Sequence, residues 1–198
     1  MIRSIQKAGI LVILVCAIGA AAFAQDSPKV EVFGGYSYAD AEVSNISKGW
    51  NGAVKGNFTN WLGVVGDVSG HYNSQNTTGS EGQTVTNVET KIHVYTFALG
   101  PQFTMHIGRV APFVHLLAGI AHTSHSVSEH AGNLNFSVSD SSNGFAGIAG
   151  GGLDIEVTRP LAIRLIQVDY NYIRFDSFGV KGLHSNAIRV GAGLVIRF

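Results

Sequence analysis

The chain has 198 residues, with 13 Lys and Arg against 13 Asp and Glu, so its formal charge is zero. No basic excess addresses nucleic acid and no acidic tail addresses a cationic partner. Charged residues make up only 13% of the chain, whereas glycine is abundant, with 25 residues.

Arg3 and Lys7 supply a positive start, residues 8–23 an apolar run, and Ala22-Phe23-Ala24 the small-x-small pattern that signal peptidase reads. Residues 1–24 are therefore expected to be a cleaved signal peptide, and residues 25–198 one exported domain. Cys16 is the single cysteine and leaves with the signal. The mature domain then has no thiol for a disulfide, and loss of Arg3 and Lys7 takes its charge to about −2. Val15 before Cys16 argues against lipoprotein processing, which needs a small residue there.

After residue 25 no window approaches the ~20 apolar residues of a membrane-spanning helix. Gly, Ser, Thr, Asn and Val interrupt every candidate amphipathic helix. What recurs instead is a period of two. Val30, Val32, Gly34, Tyr36 and Tyr38 alternate with Glu31, Phe33, Gly35 and Ser37. Trp50, Gly52, Val54, Gly56 and Phe58 alternate with Asn51, Ala53, Lys55 and Asn57. Leu62, Val64, Gly66 and Val68 then alternate with Gly63, Val65, Asp67 and Ser69. Weaker alternation marks segments near 95–103, 113–121, 145–157 and 166–172. The last segment is the clearest, with Ile188, Val190, Ala192, Leu194, Ile196 and Phe198 against Arg189, Gly191, Gly193, Val195 and Arg197.

One segment changes phase, because Leu161, Ile163 and Leu165 do not continue into Ile166, Val168, Tyr170 and Tyr172. Either a bulge near Leu165 turns Arg164 inward beside Gln167 and Asp169, or Arg164 lies at the membrane edge and snorkels. The pattern leaves both open.

The connections alternate too. Residues 59–60, 106–110 and 158–161 are short, whereas 40–49, 73–88, 126–143 and 175–185 are long and polar. Eight antiparallel strands with short turns at one end and long loops at the other make an up-and-down transmembrane β-barrel, with both termini at the short-turn, periplasmic end. The fold class expected is all-β.

A soluble barrel would put its apolar face inside. Here Glu31, Lys55, Asp67, Asp154, Glu156, Gln167, Asp169, Arg189 and Arg197 all oppose the apolar stripes, with Gly and Ala filling the same face. Eight strands leave an interior just wide enough for such side chains. Glu31, Lys55, Asp67, Asp154, Glu156, Asp169, Arg189 and Arg197 are thus expected to form a charge network in the lumen that neutralises itself. Aromatic residues suit two interfacial girdles: Phe58, Trp61, Phe103 and Phe198 below, and Tyr36, Tyr38, Trp50, Tyr72 and Tyr172 above.

The run from Asn186 through Arg189 and Arg197 to Phe198 resembles the closing strand of small OmpA/OmpX-type outer-membrane barrels. The runs 49–70 and 161–172 resemble other strands of that superfamily. The resemblance implies a bacterial outer-membrane location, contact with outer-membrane lipid, and handling by periplasmic chaperones and the barrel-assembly machinery. Phe198 would be the terminal assembly signal. The wall-anchoring role of full OmpA proteins is not implied.

For function, the expectation is a non-enzymatic integral outer-membrane protein with a structural or surface-interaction role. Its long extracellular loops, chiefly 73–88 and 126–143, would meet an extracellular protein or other surface ligand. Leu134, Phe136 and Val138 alternate with polar residues and suggest that the sheet continues beyond the membrane. Two rivals stand beside this. Inward charges can line a narrow ion-conducting pore. His122 and Ser124, two apart on a lipid-facing phase, resemble the base and nucleophile of PagL-like lipid A deacylases. His125, however, stands where that family has Asn. His71, His93, His122, His125, His130 and His184 map near the long-loop end, His106 in a short turn and His115 within a strand. Without tight ligand spacing they give no metal site, and no cofactor or catalytic residue is expected.

Overall fold

The computed structural model describes residues 28–41, 44–81, 84–131, 134–177 and 180–198. The expected signal peptide lies outside them. Eight strands follow one another: β1 (Val30–Ala41), β2 (Ser44–Asn57), β3 (Leu62–Glu81), β4 (Thr84–Thr104), β5 (Val110–Ala131), β6 (Leu134–Thr158), β7 (Leu161–Ser177) and β8 (Val180–Arg197). Each pairs antiparallel with its sequence neighbours, and β8 pairs with β1 to close the barrel. Closure leaves the wall without an edge, the condition for a sheet to cross lipid.

The alternation reads out as two faces. Leu99, Val114, Leu116 and Ile120 are all 60–64% exposed on the outside, while Asp169, Arg189 and Asp67 are at most 2% exposed within. A soluble barrel would show the reverse. Trp61 stacks on Phe103 near the short turns, their centroids 5.9 Å apart. At the other end Tyr72 meets Tyr95 edge-on and accepts a hydrogen bond from Trp50 Nε1. Such amphipathic rings suit the two membrane interfaces.

The turns at one end are tight. Thr59 Oγ1 accepts from the backbone N–H of Leu62 at 2.9 Å between β2 and β3. Gly108 supplies the positive φ, 62°, that the β4–β5 turn requires. Arg159 and Pro160 suffice between β6 and β7.

At the opposite end the structure corrects the expectation of long loops. Most of residues 73–88 and 126–143 is strand, not loop: β3 runs to Glu81, β4 starts at Thr84, β5 runs to Ala131 and β6 starts at Leu134. Strands of 20 to 25 residues exceed the roughly 9–11 that a membrane crossing needs. The polar composition that suggests loops there reflects water on both faces, and cross-strand pairing sustains extended chain without an apolar stripe. The 40–49 and 175–185 connections are likewise mostly strand. Phe58, assigned by alternation to the second strand, belongs instead to the turn after it.

The irregular seventh segment resolves as a bulge. Arg164 pairs with Gly193 and Gln167 with Gly191, so β7 uses one more residue than β8. Leu165 and Ile166 both face outward, 52% and 46% exposed, while Arg164 and Gln167 both face inward. Two apolar side chains meet lipid, and the guanidinium enters the lumen.

Candidate functional site

The lumen holds two polar groups and an apolar cluster. Near the short turns Lys55 Nζ lies 3.6 Å from Glu31 and donates to Thr104 Oγ1 at 2.9 Å. Arg197 faces the same Glu31 at 3.8 Å and reaches Glu156, which is partly exposed at the mouth, at 3.3 Å. Beside it runs an apolar cluster with one residue from each strand: Phe33, Ala53, Val65, Ala98, Leu117, Ile148, Ala162 and Val195.

The second polar group is a continuous hydrogen-bonded chain. Arg189 donates to Asp169 through Nε and Nη2, at 2.9 and 2.6 Å, and to Asp67 through Nη1 and Nη2, at 2.9 and 3.2 Å. Asn51 caps Asp67 at 2.8 Å, and Gln167 donates to Asp169 at 2.7 Å. Gln167 in turn accepts from Arg164, whose guanidinium binds both oxygens of Asp154 at 2.8 and 3.1 Å. His115 Nε2 lies 2.9 Å from the other Asp169 oxygen. Each buried charge thus faces opposite charge and fixed donors, the arrangement that offsets the several kcal/mol lost on desolvating an ion.

Arg164 is also held between two rings. Its guanidinium carbon sits 4.2 Å from the ring centroids of both Phe33 and Phe113. Glycine makes the room. A Cβ on Gly152 would lie 2.7 Å from the Phe113 ring, and one on Gly150 would overlap the Asp169 carboxylate.

All eight residues expected in the network therefore line the lumen or its mouth. Their contacts divide them into one group of Glu31, Lys55, Glu156 and Arg197 and another of Asp67, Asp154, Asp169 and Arg189, the last joined through Arg164 and Gln167. Sequence reasoning missed His115 and the full part of Asn51, although both fall on the inward phase of their strands. His71 also belongs inside, on Ser37 at 2.9 Å, and is not a rim histidine. Its odd-numbered phase after Asp67 and Ser69 is the signal that would have found it. Among the described residues no three His, Cys, Asp or Glu converge as a metal site. Phe198 lies at the seam, where its N–H donates to Val30 O at 2.9 Å.

His122 and Ser124 do share the outer face. Ser124 Oγ lies 3.3 Å from His122 Nε2, and His122 Nδ1 2.7 Å from Asn143 Oδ1.

At the hairpin end β3 to β6 stand proud of the other strands. The β2–β3 pairing stops at Tyr72 and the β6–β7 pairing starts at Gly144. The β3–β4, β4–β5 and β5–β6 ladders continue beyond. The result is a four-stranded sheet with outer edges at 74–81 of β3 and 134–142 of β6, to which no ladder partner is assigned among the described residues.

An eight-stranded closed barrel with apolar wall, charged core and two aromatic belts is the architecture of an integral outer-membrane protein. The sequence agrees: residues 9–195 match the model of the outer membrane protein beta-barrel domain, and the chain belongs to that family of the bacterial outer membrane. Ail, the attachment invasion locus protein of Yersinia pestis, is similar in structure, with 18% identity over 84% of this chain and 96% of that one and a TM-score of 0.51. Its complex with the heparin analogue sucrose octasulfate superposes with a TM-score of 0.54 at the same identity and coverage. A major outer membrane protein from Thermus thermophilus shares 13% identity over 85% and 99% of the two chains, with a TM-score of 0.53. A comparison with curated protein sequences found no match.

Proposed function

We propose that this protein is a non-enzymatic surface-interaction protein whose protruding β3–β6 sheet, turned to the cell exterior, takes up extended segments of other proteins. The observation that carries the reading is the pair of open edges, 74–81 and 134–142, held beyond the barrel. A row of unpaired backbone groups is a template for an added strand. Charge argues against a polyanionic ligand such as the sulfated sugar seen with Ail. The sequence of 73–94 and 123–143 holds four acidic residues, Glu81, Glu89, Glu129 and Asp140, against one lysine and no arginine, and that lysine, Lys91, is paired with Glu89 at 2.8 Å. The core beneath acts as a rigid mount, with the salt-bridged lumen serving stability and not conduction.

The test compares cells displaying the full chain with cells displaying a variant shortened to tight hairpins in place of 75–87 and 127–142. Adhesion to protein-coated surfaces should fall about tenfold, as loss of the whole strand-pairing surface implies. Adhesion to sulfated glycan should stay at background for both. Equal protein binding by the two would refute the reading.

A further inference from the structure

The two open edges of the protruding sheet are chemically unlike. On β3 the margin begins with Ser74 and Gln75, both exposed and neutral. On β6 the residues divide by phase, and the β5–β6 ladder runs through residues 134–155 without a register shift. Ser137, Ser139 and Ser141 are exposed and continue the outward phase of Phe145. Val138, Asp140 and Ser142 continue the inward phase of Ala146 and Ile148, which are buried in the barrel. Val138 is 62% exposed beside its ladder partner Val127 at 42%, so the two form an uncovered aliphatic patch. Asp140 is exposed too, and it has no ion pair among the described residues.

We propose that the β6 edge selects its strand by charge, and that the partner is a basic extended segment with a Lys or Arg two positions from an apolar residue. This rests on the strand-capturing reading of the open edges and names what they take. Side chains directly opposite on one face of an antiparallel ladder come within about 4.5–5.5 Å of each other. The residue set against Asp140 should therefore be a cation, and the one set against Val138 apolar. β6 runs from Val138 to Asp140, so an antiparallel partner reads basic–x–apolar from its N-terminus. An antiparallel partner also continues the pattern of every other ladder in this sheet. The three serines ask little of the other face, where small polar residues suffice.

A charge on a sheet edge also turns wrong partners away. A second copy of this chain is one of them. Residues 73–81 and 134–142 contain no lysine or arginine, so neither edge of a second copy offers Asp140 a cation. Two β6 edges paired with each other would put both Asp140 carboxylates on one short ladder. An acidic or wholly apolar strand would desolvate Asp140 without compensation.

The test measures binding of three fluorescent peptides, each long enough to cover 134–142, to the folded barrel in detergent. The first alternates threonine with arginine and valine, so that arginine and valine share one face. The second has glutamate in place of arginine. The third keeps the composition of the first but sets arginine and valine on opposite faces. The first should bind about fivefold tighter than the second and about threefold tighter than the third. Asp140→Asn should reduce the preference for arginine over glutamate to less than about twofold, and Asp140→Lys should reverse it. Equal binding of the three peptides by wild type overturns the selection and leaves strand capture standing, as does a full preference retained in Asp140→Asn. The first peptide methylated on alternate backbone amides cannot join a ladder, and its binding should be lost. Undiminished binding of that methylated peptide refutes strand capture itself, and absence of binding by all three peptides refutes both.

Discussion

The barrel wall and the sheet that rises from it are made of the same strands, yet opposite terms hold them. Within the wall, β4, β5 and β6 turn Leu99, Leu116 and Ala149 to lipid and Gln102, His115 and Asp154 to a packed interior. Beyond Tyr95, His122 and Asn143 the same strands carry Ser, Thr and Asn on both faces, and pairing with neighbours is their main support. A sheet that is apolar on one side is tied to one register, because a slip by one residue exchanges its faces. A sheet polar on both sides has no such constraint, and it keeps free edges where the wall has none. Rigidity is concentrated below and adaptability above.

The sharpest way to break this contrast is to remove the centre of the lower region. Arg189→Met leaves Asp67 and Asp169 buried without their cation and should cost about 3–5 kcal/mol. Urea unfolding in lipid vesicles, followed by tryptophan fluorescence, reads this directly. Combining Arg189→Met with Asp67→Asn and Asp169→Asn should recover most of the loss, because no unpaired charge remains. Failure to recover would show that the network supplies more than charge balance.

Next comes the plug. Phe33→Ala with Phe113→Ala removes both rings from Arg164 and should turn a silent barrel into a conducting one in planar-bilayer recordings. A wild type that already conducts steadily would revive the pore and contradict a sealed interior. Gly150→Ala should cost about 1–3 kcal/mol in the same unfolding assay, since the added methyl meets Asp169 and the backbone of Val168. The smallest effect belongs to the protruding sheet. Val138→Lys, at an exposed position, should shift barrel stability by less than about 0.5 kcal/mol. A loss as large as that of Gly150→Ala would mean that the two regions unfold as one unit.

Legibility in the sequence follows the same division. Where one face meets lipid and the other a packed lumen, alternation names the inward residues: Asp67 and Arg189 are plain from their neighbours alone. Arg164 is ambiguous because a bulge adds a residue without leaving a mark in composition, and only pairing with Gly193 and Gly191 shows it. His115 is concealed for another reason. Its strand has small residues on both phases, so a lone histidine there resembles a scattered one. Most of the protruding hairpins reads as loop because extended chain with water on both sides keeps little of the period of two, and only Leu134, Phe136 and Val138 point to strand there.

The seam between β1 and β8 has a consequence for biogenesis. Val30 and Phe198 are bonded neighbours, yet nearly the whole of the described chain separates them. Contacts of such long range carry the largest closure entropy and form late. Until β8 is in place, β1 and β7 are both open margins that lipid cannot satisfy, so a chain stopped short of its final strand stays an unclosed sheet. The closing strand thus decides whether all the earlier ones have a home in the membrane.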